Sequence, residues 1–270
     1  MTQSAIGVTR VPLSERAGVI RSLQILVMLG FVGTWEILSQ VGVLDKFYYS
    51  RPTLIVPTIA EWITQPGTTL FRDIGVTLLE TVLGFAIGTL AGVATGYAFA
   101  RNHLLGAAFD PLFSMFNAIP RLVLAPVFIL AFGIGLASKV ALGVTLVYFI
   151  VFFATFTAVR DVDPAFIDNV RILGARRRDV TFQVLLPAAL SAIVASLRTS
   201  AGFAFAGAVV AEYIGSNEGV GRRIAVAEAF FDSTGVFSGI VLIAMLALAL
   251  DGLLQLVESR FSRWKPRRER

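Results

Sequence analysis

The 270-residue chain has no cysteine and a single histidine, His103. Disulfide frameworks, thiol nucleophiles and iron–sulfur clusters are thereby excluded, and nearly all zinc chemistry with them. Charge is scarce as well. Asp, Glu, Lys and Arg make up 15% of the residues, against about a quarter in ordinary soluble domains. Lysine is the scarcest cation, present only as Lys46, Lys139 and Lys265, which follow Asp45, Ser138 and Trp264. A phosphate-cradling Walker A loop needs a Gly-Lys step, so this polypeptide does not hold ATP in a P-loop. What fills the chain is apolar: 56% of residues are hydrophobic, 22 phenylalanines among them, and there are 24 glycines besides. A globule in water cannot hide that much apolar surface at this length. The chain therefore reads as an all-α integral membrane protein. Its net charge of +5 belongs with orientation in a bilayer rather than with nucleic acid.

A membrane span takes about 20 mostly apolar residues. Six stretches qualify, at 22–43, 77–99, 110–136, 139–159, 188–214 and 236–257. The first follows a polar head and lacks a small-residue cleavage site, so it is expected to be a retained signal anchor. With the N-terminus in the cytoplasm, the inner segments carry 15 Lys and Arg against 6 outside. That bias places both termini on the cytoplasmic side. The expected organisation is a cytoplasmic segment 1–21, the first span and outer loop 22–69, a transmembrane domain 70–258 and a basic tail 259–270. The tail, with Trp264 among arginines, reads as an interfacial anchor. The outer loop carries Pro52, Pro57 and Pro66 around the apolar piece 55–63, which predicts a short interfacial helix.

Gly84, Gly88, Gly92 and Gly96 recur at four-residue spacing, and Glu80 continues the ridge outward. A side-chain-free ridge lets another helix approach backbone to backbone. Tight intrachain packing is the simpler expectation, with a subunit interface as the alternative. In the third stretch Pro120 and Pro126 break the hydrogen-bond ladder, so part of it must bend or lie at the inner interface. Arg121 and Arg198 are cations within spans, which makes both candidates for a translocation path. Arg198 lies eleven residues beyond Pro187, about 16 Å along a helix and near the midplane. A structural salt bridge is its alternative reading. Glu212, near the outer end of the fifth span, is a candidate gate residue. Glu36, Asp251 and Glu258 lie toward span ends, where interfacial or helix-paired roles are expected.

The inner segment 160–187 is charged and helix-patterned, and Gly174 supplies a permissive turn between two short amphipathic helices. Pro187 is expected to open the fifth span, where a missing N–H costs nothing. The apolar face of this segment, flanked by Arg171, Arg176, Arg177 and Arg178, has nothing to bury against inside a six-helix bundle. A loop lying on anionic lipid would account for it. The spacing of Asp168, Gly174, Val184, Leu186 and Pro187 also resembles the E-A-A-x-x-x-G-x9-I-x-L-P signature of ABC importer permeases. Asp168, Asn169 and Val170 stand where that family prefers Glu-Ala-Ala. Three further stretches resemble its nitrate/sulfonate/taurine-type branch. They are Ile119 and Pro120 through to Phe132, Gly133, Ile134 and Gly135; Ala211, Glu212, Tyr213, Ile214 and Gly215; and Gly219, Val220 and Gly221.

The resemblance implies a type-I importer transmembrane fold of about six helices in a bacterial inner membrane. It implies two permease copies forming the pathway, two separate ATPase subunits docked on the 160–187 coupling loops, and a periplasmic or lipid-anchored substrate-binding protein outside. On this reading the chain is not an enzyme and carries no cofactor of its own, ATP being bound by the partner ATPase. The implied cargo is a small oxyanion such as nitrate, a sulfonate or taurine, with a pyrimidine precursor as the alternative. An ion-driven secondary transporter is the competing class, but it needs carboxylates at the midplane, and Glu36, Glu80, Glu212 and Asp251 lie toward span ends. A membrane-embedded enzyme would need a clustered catalytic set that these residues do not supply.

Overall fold

A computed structural model describes residues 17–261, and every regular element among them is helical. Helix α1 (Ala17–Gln40) is the first span, with Ser39 its one buried residue among those described. It leads to α2 (Lys46–Tyr49), capped by Asp45, whose carboxylate accepts the Phe47 N–H at 2.9 Å. Helix α3 (Pro52–Thr64) follows, with Pro52 in its first turn, and is the short helix expected in the outer loop. Helix α4 (Leu70–Arg101) has 32 residues, about 48 Å at 1.5 Å per residue, well beyond the hydrocarbon thickness.

The third apolar stretch is not one helix. Asn102 caps α5 (His103–Ala118) by accepting the Leu104 and Leu105 N–H groups. The chain leaves helical geometry before Pro120, turns once in 3-10 form over Arg121–Leu124, and resumes as α6 (Ala125–Phe132). Gly133, at φ +78°, ends it. Thereafter come α7 (Leu136–Arg160), α8 (Pro164–Ile172), α9 (Arg177–Asp179), a π-helical segment Val180–Leu185, α10 (Leu186–Ile214), α11 (Val220–Ala229) and α12 (Ser233–Phe261). Among the described residues five rods are long and apolar enough to span a membrane: α1, α4, α7, the continuous Val180–Ile214 and α12. The sixth passage is the broken α5–α6 segment, and the packing of its neighbours requires it.

Gly84 meets Gly143, Gly88 meets Val147, Gly92 meets Val151 and Gly96 meets Thr155, a constant separation of 59 residues. Helices α4 and α7 are therefore parallel. The chain must return across the bundle between them, through α5 and α6. The glycine ridge is an intrachain seam. A methyl group on Gly88 would lie 2.8 Å from Val147 Cβ, and one on Gly96 would lie 2.7 Å from the Phe152 carbonyl oxygen. Antiparallel α10 closes on the same central helix, with Ala204 packed on Val147 and Val151, and Ala189 on Val159. Phe99, Phe113, Phe152 and Phe156 form an aromatic cluster that holds α5 against α4 and α7, with Phe113 and Phe152 ring centroids 4.4 Å apart. At the outer side Trp35 of α1 meets Phe237 of α12 at 5.2 Å.

Pro187 stands in the first turn of α10 as expected, but a further helical segment precedes it. The helical rod begins upstream of it, and the Leu186 N–H reaches back five residues to the Thr181 carbonyl. This π-turn resets the ladder so that Pro187 falls in the first turn of α10, where no N–H is needed. The segment 1–16 and the tail 262–270, including the anchor expected at Trp264, lie outside the described residues, as does the Glu258 side chain.

Candidate functional site

Two constructions stand out, one at each end of the bundle, inner and outer being the sides that the charge bias of the sequence predicts. At the inner end Asp163 caps α8, accepting the Ala165 N–H at 2.8 Å. The helix stops at a left-handed Gly174 (φ +92°), and the Ala175 N–H closes back on the Val170 carbonyl at 3.2 Å. One side of this segment is rooted in the core. Ile167, Ala175, Val180 and Leu185 pack with Val159, Ala189 and Ile193, and Tyr97 donates to the Thr181 hydroxyl at 2.7 Å. The other side is bare: Phe166, Phe182, Ile172 and Leu173 are exposed, the last two above 80%. Asp168 and Asn169 lie on the exposed surface of α8, Asp168 pairing with Arg171 at 3.1 Å. Such a surface pair contributes little by itself. Val170 is half-buried, Gly174 and Pro187 are exposed, and Val184 and Leu186 flank the buried Leu185. The loop thus has one side packed on α7 and α10 and an exposed apolar, arginine-flanked tip.

At the outer end lies a buried polar network. The glycine ridge of α4 continues outward as Thr81, Glu80, Thr77 and Asp73, all buried. Glu212 of α10, 1% exposed, accepts the Thr77 hydroxyl at 2.6 Å and the Gly221 N–H at 2.7 Å. Thr77 accepts the Val220 N–H at 3.1 Å, and Asp73 accepts the Gly219 N–H at 3.0 Å. The orphan N–H groups at the start of α11 are thereby satisfied by α4 and α10 side chains. Arg223 adds an ion pair to Asp73 at 2.6 Å and a bond to the Thr69 hydroxyl at 2.8 Å. Both glycines are required by shape. A Cβ on Gly219, at φ +105°, would overlap the Glu212 carboxylate, and one on Gly221 would overlap the Val209 carbonyl. Lys139, fully buried in the first turn of α7, donates to the Ile134 carbonyl at the same end.

The three path candidates have separate surroundings. Glu212 is locked in the outer network. Arg121, in the 3-10 turn, lays its guanidinium 4.5 Å from the Phe149 ring centroid. Arg198 forks onto Asp251 of α12, Nε to Oδ1 at 3.0 Å and Nη2 to Oδ2 at 3.3 Å, with both side chains half-exposed. Sequence reasoning singled out Glu212, Glu80 and the two glycines but missed Asp73, Thr77 and Arg223. The available signal was the near-regular polar continuation of the glycine ridge, 73, 77, 80 and 84.

Comparison with known proteins places this geometry. The profile of the family described as binding-protein-dependent transport system inner membrane component matches residues 84–263. SsuC of Bacillus subtilis, named for aliphatic sulfonates transport, is 30% identical over 97% of this chain and 94% of its own length. The taurine transport system permease protein TauC of Escherichia coli is 25% identical over 94% and 92%. The formylaminopyrimidine transport permease protein ThiX of Halalkalibacterium halodurans is 27% identical over 72% and 78%. Among solved structures, an inward-facing MetNI methionine ABC transporter superposes with a TM-score of 0.61 at 20% identity, covering 74% of this chain and 98% of that one. That likeness establishes the type-I importer transmembrane fold. A multi-pass helical bundle carrying this profile over two thirds of its length belongs to the binding-protein-dependent inner membrane component family: the chain is a non-catalytic permease subunit of an ABC importer, whose ATPase is a separate polypeptide.

Proposed function

We propose that this permease imports a small sulfonate-type anion, that two copies form the pathway in a bacterial inner membrane with both termini cytoplasmic, and that the 160–187 loop couples each copy to an ATPase subunit. A periplasmic or lipid-anchored binding protein delivers cargo at the opposite face. The observation that carries the coupling reading is the exposure of Ile172 and Leu173 on a segment whose other side is packed into α7 and α10. A lever needs both features, a rigid root and a sticky tip. Asp168, Asn169, Val170, Gly174, Val184, Leu186 and Pro187 shape that lever. The sulfonate- and taurine-named relatives support the cargo class, and Arg198, Arg121 and Glu212 are the charged groups on which a path for it would draw.

Expression in cells depleted of sulfonate uptake tests both halves. The chain, co-expressed with a cognate ATPase and binding protein, should restore taurine or alkanesulfonate uptake, and the ATPase should copurify. Leu173→Glu should insert normally yet lose most of the copurifying ATPase, because a charge is set into the apolar contact. Full copurification by that variant would reassign the tip to lipid, and uptake of formylaminopyrimidine without any sulfonate would reassign the cargo.

A further inference from the structure

A second outer feature adjoins the buried network, sharing Thr69, Asp73 and Arg223 with it, and has no part in the 160–187 loop. A cavity of about 300 Å³ lies between α3, the start of α4, α11 and the turn into α12. Its walls include Trp62 and Phe230, and its charged groups are Asp73, Arg223, Arg222 and Asp232. Two of the four cancel. Arg223 is bound to Asp73 at 2.6 Å and lies 5.5 Å from the Trp62 ring centroid, so this pair forms a fixed, neutral floor. The other two remain available. Among the described residues Arg222 makes no ion pair, with Asp232 or with any other carboxylate. Asp232 spends Oδ1 on the Gly235 N–H at 2.9 Å, where it caps α12. A cation and a carboxylate thus line one small cavity without pairing with each other, beside the rings of Trp62 and Phe230.

We propose that this cavity is a binding site for a small zwitterion of the aminosulfonate or amino-acid class, with its anionic end on Arg222 and its ammonium on Asp232. The inference rests on the importer reading above and narrows its cargo. A guanidinium offers a planar fork of donors to a sulfonate or carboxylate, and a carboxylate accepts an ammonium. The short methylene linker of such a ligand lies against Trp62 and Phe230. A simple anion would gain Arg222 while stranding Asp232, and a simple amine the reverse, so the site discriminates by requiring both charges.

The test uses the full chain in lipid nanodiscs with labelled taurine as probe, and ethanesulfonate and ethylammonium as single-charge competitors. Taurine should bind saturably and be displaced by unlabelled taurine at concentrations about tenfold or more below either competitor, since each lacks one charge-assisted contact. Arg222→Gln should weaken taurine binding by about tenfold or more with an unchanged melting temperature, because Arg222 holds no ion pair to lose. Asp232→Asn, which keeps the capping oxygen, should do the same and should erase the preference for taurine over ethanesulfonate. Absence of saturable binding, wild-type affinity in Arg222→Gln, or equal competition by ethanesulfonate overturns the proposal. Uptake measured in parallel separates the two readings. Sulfonate uptake without taurine binding leaves the cargo class standing and removes this site, whereas taurine binding that depends on Arg222 without sulfonate uptake keeps the site and removes the cargo.

Discussion

At the residue scale, the outer network shows how few side chains fix a helix end inside a membrane protein. Asp73, Thr77 and Glu212 each accept an N–H from the first residues of α11 or its cap, groups that would otherwise be orphaned away from water. Gly219 is the point of least tolerance. Its φ of +105° strains any L side chain, and a Cβ there would collide with the Glu212 carboxylate. Gly219→Ala should therefore cost about 2–4 kcal/mol, with backbone strain and a displaced buried carboxylate as its two sources. Gly202, on a helical stretch of α10 with nothing within 4 Å of an added Cβ, is the control. Gly202→Ala should be neutral or stabilising by up to about 1 kcal/mol. Thermal unfolding of the two purified variants, monitored by tryptophan fluorescence, measures the contrast. Equal melting temperatures would show that the outer network does not hold α11. The sequence pointed to Glu212 and its glycines but not to Asp73 or Arg223. Partners 135 and 150 residues away are joined only by the fold.

At the scale of elements, the segment proposed for coupling is a short capped helix, a left-handed turn and a π-turn leading into α10. Gly174 has open space around it, so its conformation alone resists substitution. Gly174→Val should leave the bundle folded, because the core on α7 and α10 is untouched, while the loop tip is displaced. The expected result is normal membrane insertion with loss of ATPase association or of substrate-stimulated hydrolysis, and normal transport would show that the loop is a passive connection. The short helix and its turn were legible from the amphipathic pattern and Gly174, which acts locally, whereas the Asp163 cap was not singled out. The π-turn was not. It reconciles Pro187 with a rod that starts seven residues earlier, and only the packing of Val180 and Leu185 on Val159 and Ala189 decides where that rod starts.

For the whole molecule, orientation is open to direct test because the chain has no native cysteine to label. Asn217 and Leu173 are both exposed, at opposite ends of the bundle. An impermeant thiol reagent should label Asn217→Cys in intact cells and Leu173→Cys only after permeabilisation, and the reverse would invert the topology. Ser50 lies in the outer loop but is fully buried and bonded to Thr234, so it is a poor reporter in spite of its position. Composition and periodicity by themselves determined that the chain is a helical membrane bundle, where its long apolar helices run, and that α4 carries a side-chain-free ridge. These follow from hydrocarbon thickness and helix pitch, which act on contiguous residues. The tertiary structure alone decided that the ridge meets α7 in parallel, which forces the broken α5–α6 passage between them. It also decided that Arg198 forks onto Asp251 and that α11 is fastened by α4 and α10. Those choices depend on which surfaces meet, and a periodicity read along one strand of sequence carries no record of its distant partner.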